Sequence, residues 1–144
     1  MTRTKPTDLV LFLLWIPFLA EGCTDSGTPL DPGVALISGS WVWQRSQGGE
    51  DGRVILPPAG STTIDTFTPP GRFMRVKDGT LVLTARFTVR TIQSCFLVEF
   101  SDPKSFNNYP TADLWAKCIA VEGDTLRLAD YGADMYTHWY SRVK

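Results

Sequence analysis

The chain has 144 residues and a formal net charge of −1. That length favours one domain, and that balance excludes a global electrostatic pull toward nucleic acid or anionic lipid. Aromatic residues make up 12%, enough to fill a small core, so a disordered chain is excluded except near its ends.

Arg3 and Lys5 precede an apolar run over residues 9–20, shorter than the ~20 residues a membrane span needs. With Ala20-Glu21-Gly22 following, residues 1–22 form the expected secretory signal peptide. The stretch "LAEGC" resembles a bacterial lipoprotein signal, in which the cysteine that becomes N-terminal carries lipid. Glu21 departs from that pattern, where a small or apolar residue is usual, and Asp8 weakens the positive leader. The resemblance implies lipid attachment at Cys23, a membrane partner reached through that anchor, and export to the bacterial envelope, at the outer membrane. The plainer alternative is a secreted chain with a leftover cysteine. The three cysteines are Cys23, Cys95 and Cys118. With Cys23 lipidated, Cys95 and Cys118 are free to form a disulfide in an oxidising compartment; two buried free thiols are the alternative. One histidine and two remote cysteines make no metal cluster, so neither a metal nor a cofactor is expected.

Residues 23–35 begin small, polar and proline-bearing, and are expected as a flexible tether; residues 36–144 are the expected folded domain. Its first strand covers residues 37–45, where Ile37, Gly39, Trp41 and Trp43 share one face. The glycine- and proline-rich stretch after it reads as a long loop, residues 46–61. Strands follow over 62–68 and 72–76. Lys77-Asp78-Gly79 signals a tight hairpin, because Asp-Gly suits positive φ angles. The fourth strand, 80–90, alternates Leu81, Leu83, Ala85, Phe87 and Val89 with mostly polar residues. A fifth over 92–100 has ambiguous facing. The turn-rich stretch 101–113 is expected as a loop. Strands over 114–121, 125–129 and 135–143 complete the chain. Eight short antiparallel strands in sequence order, most joined by hairpin-length loops, predict an all-β, up-and-down barrel, with a β-sandwich as the alternative. In the barrel Cys95 and Cys118 fall on neighbouring strands.

Gly39-Ser40-Trp41 is similar to the Gly-x-Trp motif on the first strand of lipocalins, and Tyr140-Ser141-Arg142 resembles their closing strand. The chain more closely resembles the small bacterial lipocalin-like lipoproteins, through "ISGSWVWQRSQGG", "DTFTPPGRFMRVKDG", "ARFTV", "VEGDTLRLAD" and "THWYSRVK" in that order. The resemblance spans residues 36–144. It implies an eight-stranded lipocalin-like barrel in which Arg142 covers Trp41, with Gly39 beside them where the barrel narrows. A guanidinium over an indole is worth about 0.5–2 kcal/mol. The plain reading is a core tryptophan and a solvated arginine.

No catalytic residue stands out, and no enzymatic activity is expected. His138 is the only histidine and reads as a hydrogen-bonded core residue. No serine or cysteine lies in a nucleophile motif. Gly48, Gly49 and Gly52 lack the strand-turn-helix setting of a phosphate loop. Glu99, if inward, requires a partner. The leading expectation is a barrel that binds a small hydrophobic or amphipathic ligand, with Trp43, Phe73, Leu81, Leu83, Phe87, Leu126, Leu128 and Tyr140 as candidate inward groups. A cavity of ~300 Å³ or more would favour that reading. The alternative is a plugged barrel that meets an envelope protein or glycan through its loops, with Phe106, Asn107, Asn108 and Tyr109 as the contact tip.

Overall fold

Period-two alternation places one face of each strand in a shared interior, and the turns bring successive strands side by side. In the computed structural model, which describes residues 30–132 and 135–144, a short helix α1 (Pro32–Ile37) precedes nine strands. They are β1 (Gly39–Gly48), β2 (Arg53–Ile55), β3 (Thr63–Thr68), β4 (Arg72–Lys77), β5 (Thr80–Thr91), β6 (Phe96–Ser105), β7 (Lys117–Glu122), β8 (Thr125–Asp130) and β9 (Tyr136–Arg142). All neighbours are antiparallel, in the order β1-β3-β4-β5-β6-β7-β8-β9, and β1 pairs back onto β9. The result is a closed eight-stranded barrel, which removes the free edges that would template aggregation. The expected signal peptide, Cys23 and the expected tether as far as residue 29 lie outside the described residues.

Closure is the longest-ranged feature of the chain. β1 and β9 pair over seven residue pairs, with Trp41 opposite Arg142 and Trp43 opposite Tyr140. The seam between β6 and β7 is the shortest, with three pairs from Phe96↔Ile119 to Val98↔Lys117. The Cys95–Cys118 disulfide crosses that seam, with its Cα atoms 5.6 Å apart. It fastens the β5–β6 turn to β7 where backbone pairing is thinnest.

Several sequence expectations change in instructive ways. Residues 46–61 contain a strand: β2 folds back on the end of β1, pairing Ser46 with Ile55 and Gly48 with Arg53. Residues 101–105 belong to β6; Asp102, at φ 49°, and Pro103 are absorbed by a bulge between Thr84 and Arg86 of β5, a place where a strand tolerates proline. A bulge also forms opposite Arg75 and Val76, where Val82 is the extra residue. It turns both Val82 and Leu83 into the core and leaves Leu81 38% exposed, so Leu81 is not an inward group. Shifting a strand by one residue exchanges its faces. Residues 32–35 of the expected tether are helical, and Val34 is buried in the core. Asp31 caps this helix through Gly33 N–H at 2.8 Å, and Pro32 occupies its first turn.

The two ends of the barrel follow from these packings. Strands β1, β3, β5, β7 and β9 alternate in direction with their partners, so α1, the β3–β4 turn and the β5–β6 turn share one end. There Gly33 packs on Val89 and Phe96, and Ile37 is fully buried. Above α1, Phe67, Phe73, Phe87 and Phe100 form one cluster with ring centroids 5.1–6.3 Å apart. This half of the barrel is filled. The opposite end carries the β1–β2 hairpin and the long connection between β6 and β7, and it is open.

Candidate functional site

At the closed end the Arg142 guanidinium lies 4.1 Å from the centre of the Trp41 ring. Its Nη1 donates to the Ser38 carbonyl at 3.2 Å, and the Trp41 indole N–H donates to the Ile37 carbonyl at 2.8 Å. Gly39 has φ 122°, and a Cβ there would sit 2.9 Å from Arg142 Nη1. The backbone angle favours glycine here, and the absent side chain leaves room for the guanidinium. These residues lock α1 and the closing strand together and do not border the cavity at the mouth.

The cavity is at the other end. It has a volume of about 170 Å³ and opens to solvent through the barrel mouth. Trp43, Tyr109 and Tyr140 give it aromatic walls, while Arg75, Lys77, Asp113 and His138 make it polar. Of the expected ligand-lining residues, Trp43 and Tyr140 border it. Phe73, Leu83, Phe87 and Leu128, and also Leu126, are buried in the packed core beneath. Their bulk fills the lower barrel, so the space there is closed to a ligand. In the expected contact tip, Phe106, Asn107 and Asn108 are exposed, the two asparagines at φ 54° and 55°. Tyr109 turns inward onto the cavity, with its N–H bonded to the Phe106 carbonyl at 3.1 Å. Glu99 points outward and pairs with Arg90 at 2.7 Å, because Val98 and Phe100 take the inward positions of β6.

Two ion-pair systems reach the cavity through Arg75, Asp113 and His138, which line it. Asp65 and Arg75 stand directly opposite each other on β3 and β4. Arg75 Nε and Nη2 donate to the two Asp65 oxygens at 2.7 and 2.8 Å, a bidentate pair. Its remaining Nη1 donates to Asp113 from the β6–β7 connection. Burial opposes the Arg75 charge, but the Asp65 carboxylate outweighs it, and the arginine is held well above its usual range. Burial, with the nearby Asp65 charge, pushes the Tyr140 hydroxyl well above its ordinary value, keeping it a neutral donor.

The second system uses Lys117 and Asp130, again opposite each other, on β7 and β8. His138 Nε2 lies 3.4 Å from Asp130 and 3.3 Å from Lys117 Nζ. Its Nδ1 is 2.7 Å from Ser46 Oγ, which also accepts the Trp43 indole N–H at 2.9 Å. Burial would raise Asp130, but hydrogen bonds from His138 and Lys117 win and hold its carboxyl at about 2. A bulge between Trp43 and Arg45 sets Ser46 opposite His138. Serine, histidine and aspartate here are the residue types of a nucleophilic triad. Ser46, however, is buried at 4% exposure, and its hydroxyl is engaged by both neighbours. The chain of bonds fixes the Trp43 ring as a cavity wall.

The sequence reading passed over Asp65, Arg75, Lys117 and Asp130. Their signal was phase: Asp65 alternates with Phe67, and Arg75 with Phe73, so both belong to the inward face. No family model matches the chain, and no curated protein matches it. Among solved structures it is similar to a de novo designed fluorescence-activating β-barrel, at 16% identity and a TM-score of 0.45, over 79% of this chain and 100% of the design.

Proposed function

We propose that this protein is an envelope-anchored, lipocalin-like lipoprotein that binds a small amphipathic molecule at the mouth of its barrel. The observation that carries this reading is the half-open cavity bounded by Trp43, Tyr109 and Tyr140 above a charged floor. Aromatic faces with a few fixed polar groups are the usual composition of a small-molecule site. At about 170 Å³ the enclosed space is smaller than a drug-sized ligand needs. It suits a compact molecule, or one end of a longer molecule that emerges through the mouth.

The anchor is supported by the cysteines. Cys95 and Cys118 are joined, which suits an oxidising compartment and leaves Cys23 for lipid. The steps from Cys23 to Leu30 reach at most about 25 Å when extended, and they lead to α1, at the closed end. Native mass spectrometry of protein purified from the envelope tests both parts. A retained small molecule and a diacylglycerol mass on Cys23 are expected; an empty spectrum together with an unmodified Cys23 overturns the reading.

A second reading has one observation behind it. Phe106, Trp115, Tyr131 and Leu56 are exposed around the mouth, as suits a barrel that meets a protein partner through its rim. In that case replacing Trp115 and Phe106 together abolishes partner capture, and the parent protein itself retains no small molecule.

A further inference from the structure

We propose that the mouth cavity takes a small aromatic carboxylate, and that Asp113 holds the carboxylate's place while the site is empty. This rests on the ligand-binding reading above and names the ligand class. Arg75 is already neutralised by Asp65, which accepts from two of its nitrogens. Asp113 is thus a second carboxylate on a cation that needs only one. It differs from Asp65 in kind. Asp65 sits on a strand and is 1% exposed; Asp113 comes from the connection between β6 and β7, and its side chain is 44% exposed. Only one Asp113 oxygen is used; the other is shut off from solvent without a donor, a poor arrangement for a charged group.

Lys77 supplies the second half of the site. It lines the same cavity two residues beyond Arg75 on the same face of β4, so the two Cα atoms are about 7 Å apart along the strand. Among the described residues Lys77 forms no ion pair. Asp65, Arg75, Asp113 and Lys77 together sum to zero charge. When Asp113 swings out with its loop, the cavity gains one net positive charge, with Arg75 Nη1 and Lys77 Nζ both free to donate. A ligand carboxylate, with two acceptor oxygens, satisfies both, and its ring lies against Trp43, Tyr109 or Tyr140. The volume of about 170 Å³ is that of five or six waters at ~30 Å³ each, the scale of a single substituted ring.

The test uses benzoate, benzamide and benzylamine as probes, titrated calorimetrically into the disulfide-bonded protein and its Asp113→Ala and Lys77→Gln variants. Thermal melts establish that each variant folds, and Asp113→Asn replaces the alanine variant where it does not. Benzoate is expected to bind at least tenfold more tightly to Asp113→Ala than to the parent and several-fold more weakly to Lys77→Gln. Benzamide is expected to be unmoved by either change. Benzoate binding that ignores Asp113 overturns the proposal. Benzamide or benzylamine binding as tightly as benzoate overturns the carboxylate class and leaves the mouth as a ligand site. Failure of all three probes overturns the proposal too, and retention of a small molecule in the native spectrum then decides the broader reading separately.

Discussion

The two ends of the barrel solve the same problem with opposite chemistry. At the closed end, a helix and four phenylalanines fill the interior, and one cation lies over one indole. At the mouth, the inward positions go to charged residues matched pair by pair across strands. Apolar filling contributes stability in proportion to area. A buried ion pair roughly breaks even against an apolar pair of the same size, though losing one partner is costly. The difference teaches that apolar filling is concentrated at the closed end, while the mouth keeps polar and aromatic groups around an open cavity.

The sharpest way to break that division is Phe67→Ala. Phe67 touches Phe73, Phe87 and Phe100, and its loss is expected to cost about 3–5 kcal/mol. Urea unfolding measures this, and ligand retention in the surviving folded fraction should be unchanged. A loss of retention at full folding would show that the two ends are coupled.

Removing the disulfide with Cys95→Ala and Cys118→Ala comes next. It closes a sequence separation of 23 residues, for which chain entropy gives about 3 kcal/mol. Because it lies across the three-pair seam, hydrogen exchange is expected to quicken first in β6 and β7, not in β1 and β9. Uniform quickening would mean the barrel opens as one unit.

Arg142→Met removes the guanidinium and keeps most of the side-chain bulk. The indole beneath it is buried, so the cost is expected near 2 kcal/mol. The variant should also fray the end of α1, because Arg142 holds the carbonyl of its C-cap residue Ser38.

The legibility of the fold divides along the same line. Strands with clean alternation and Asp-Gly or Gly-Asp turns were readable, because a turn fixes the register of everything it joins. Closure was readable from Gly39, Trp41 and Arg142 through the lipocalin resemblance. Bulges were not, since an extra residue such as Val82 or Gln44 obeys no composition rule, yet it reverses the facing of Leu81 and brings Ser46 inward. The mouth was hidden for a different reason. Polar residues in inward phase look like breaks in a pattern until their partners are known. The β3–β4 turn makes Asp65 and Arg75 partners, just as it makes Phe67 and Phe73 partners, so the ionic floor was written in the register and missed in the composition.

The smallest expected effect concerns acid, and it separates the mouth from the closed end without altering the core. The Asp130 carboxyl is held at about 2, against an ordinary value of 3.8. A depressed carboxylate stabilises the fold above its unfolded value and loses that contribution as the pH falls toward its folded value. Asp130 therefore supports the fold fully at neutral pH, and its contribution drains away between about pH 4 and pH 2. Allowing for solvent screening, the amount is on the order of 1 kcal/mol. Denaturant titrations across that range should show a slope that Asp130→Asn makes shallower, Asp78 and Glu99 supplying part of what remains, while Phe67→Ala keeps the slope at a lower overall stability. If Asp130→Asn shows the same slope as the parent, Lys117 and His138 do not hold that carboxylate, and the second ionic system is no part of the floor.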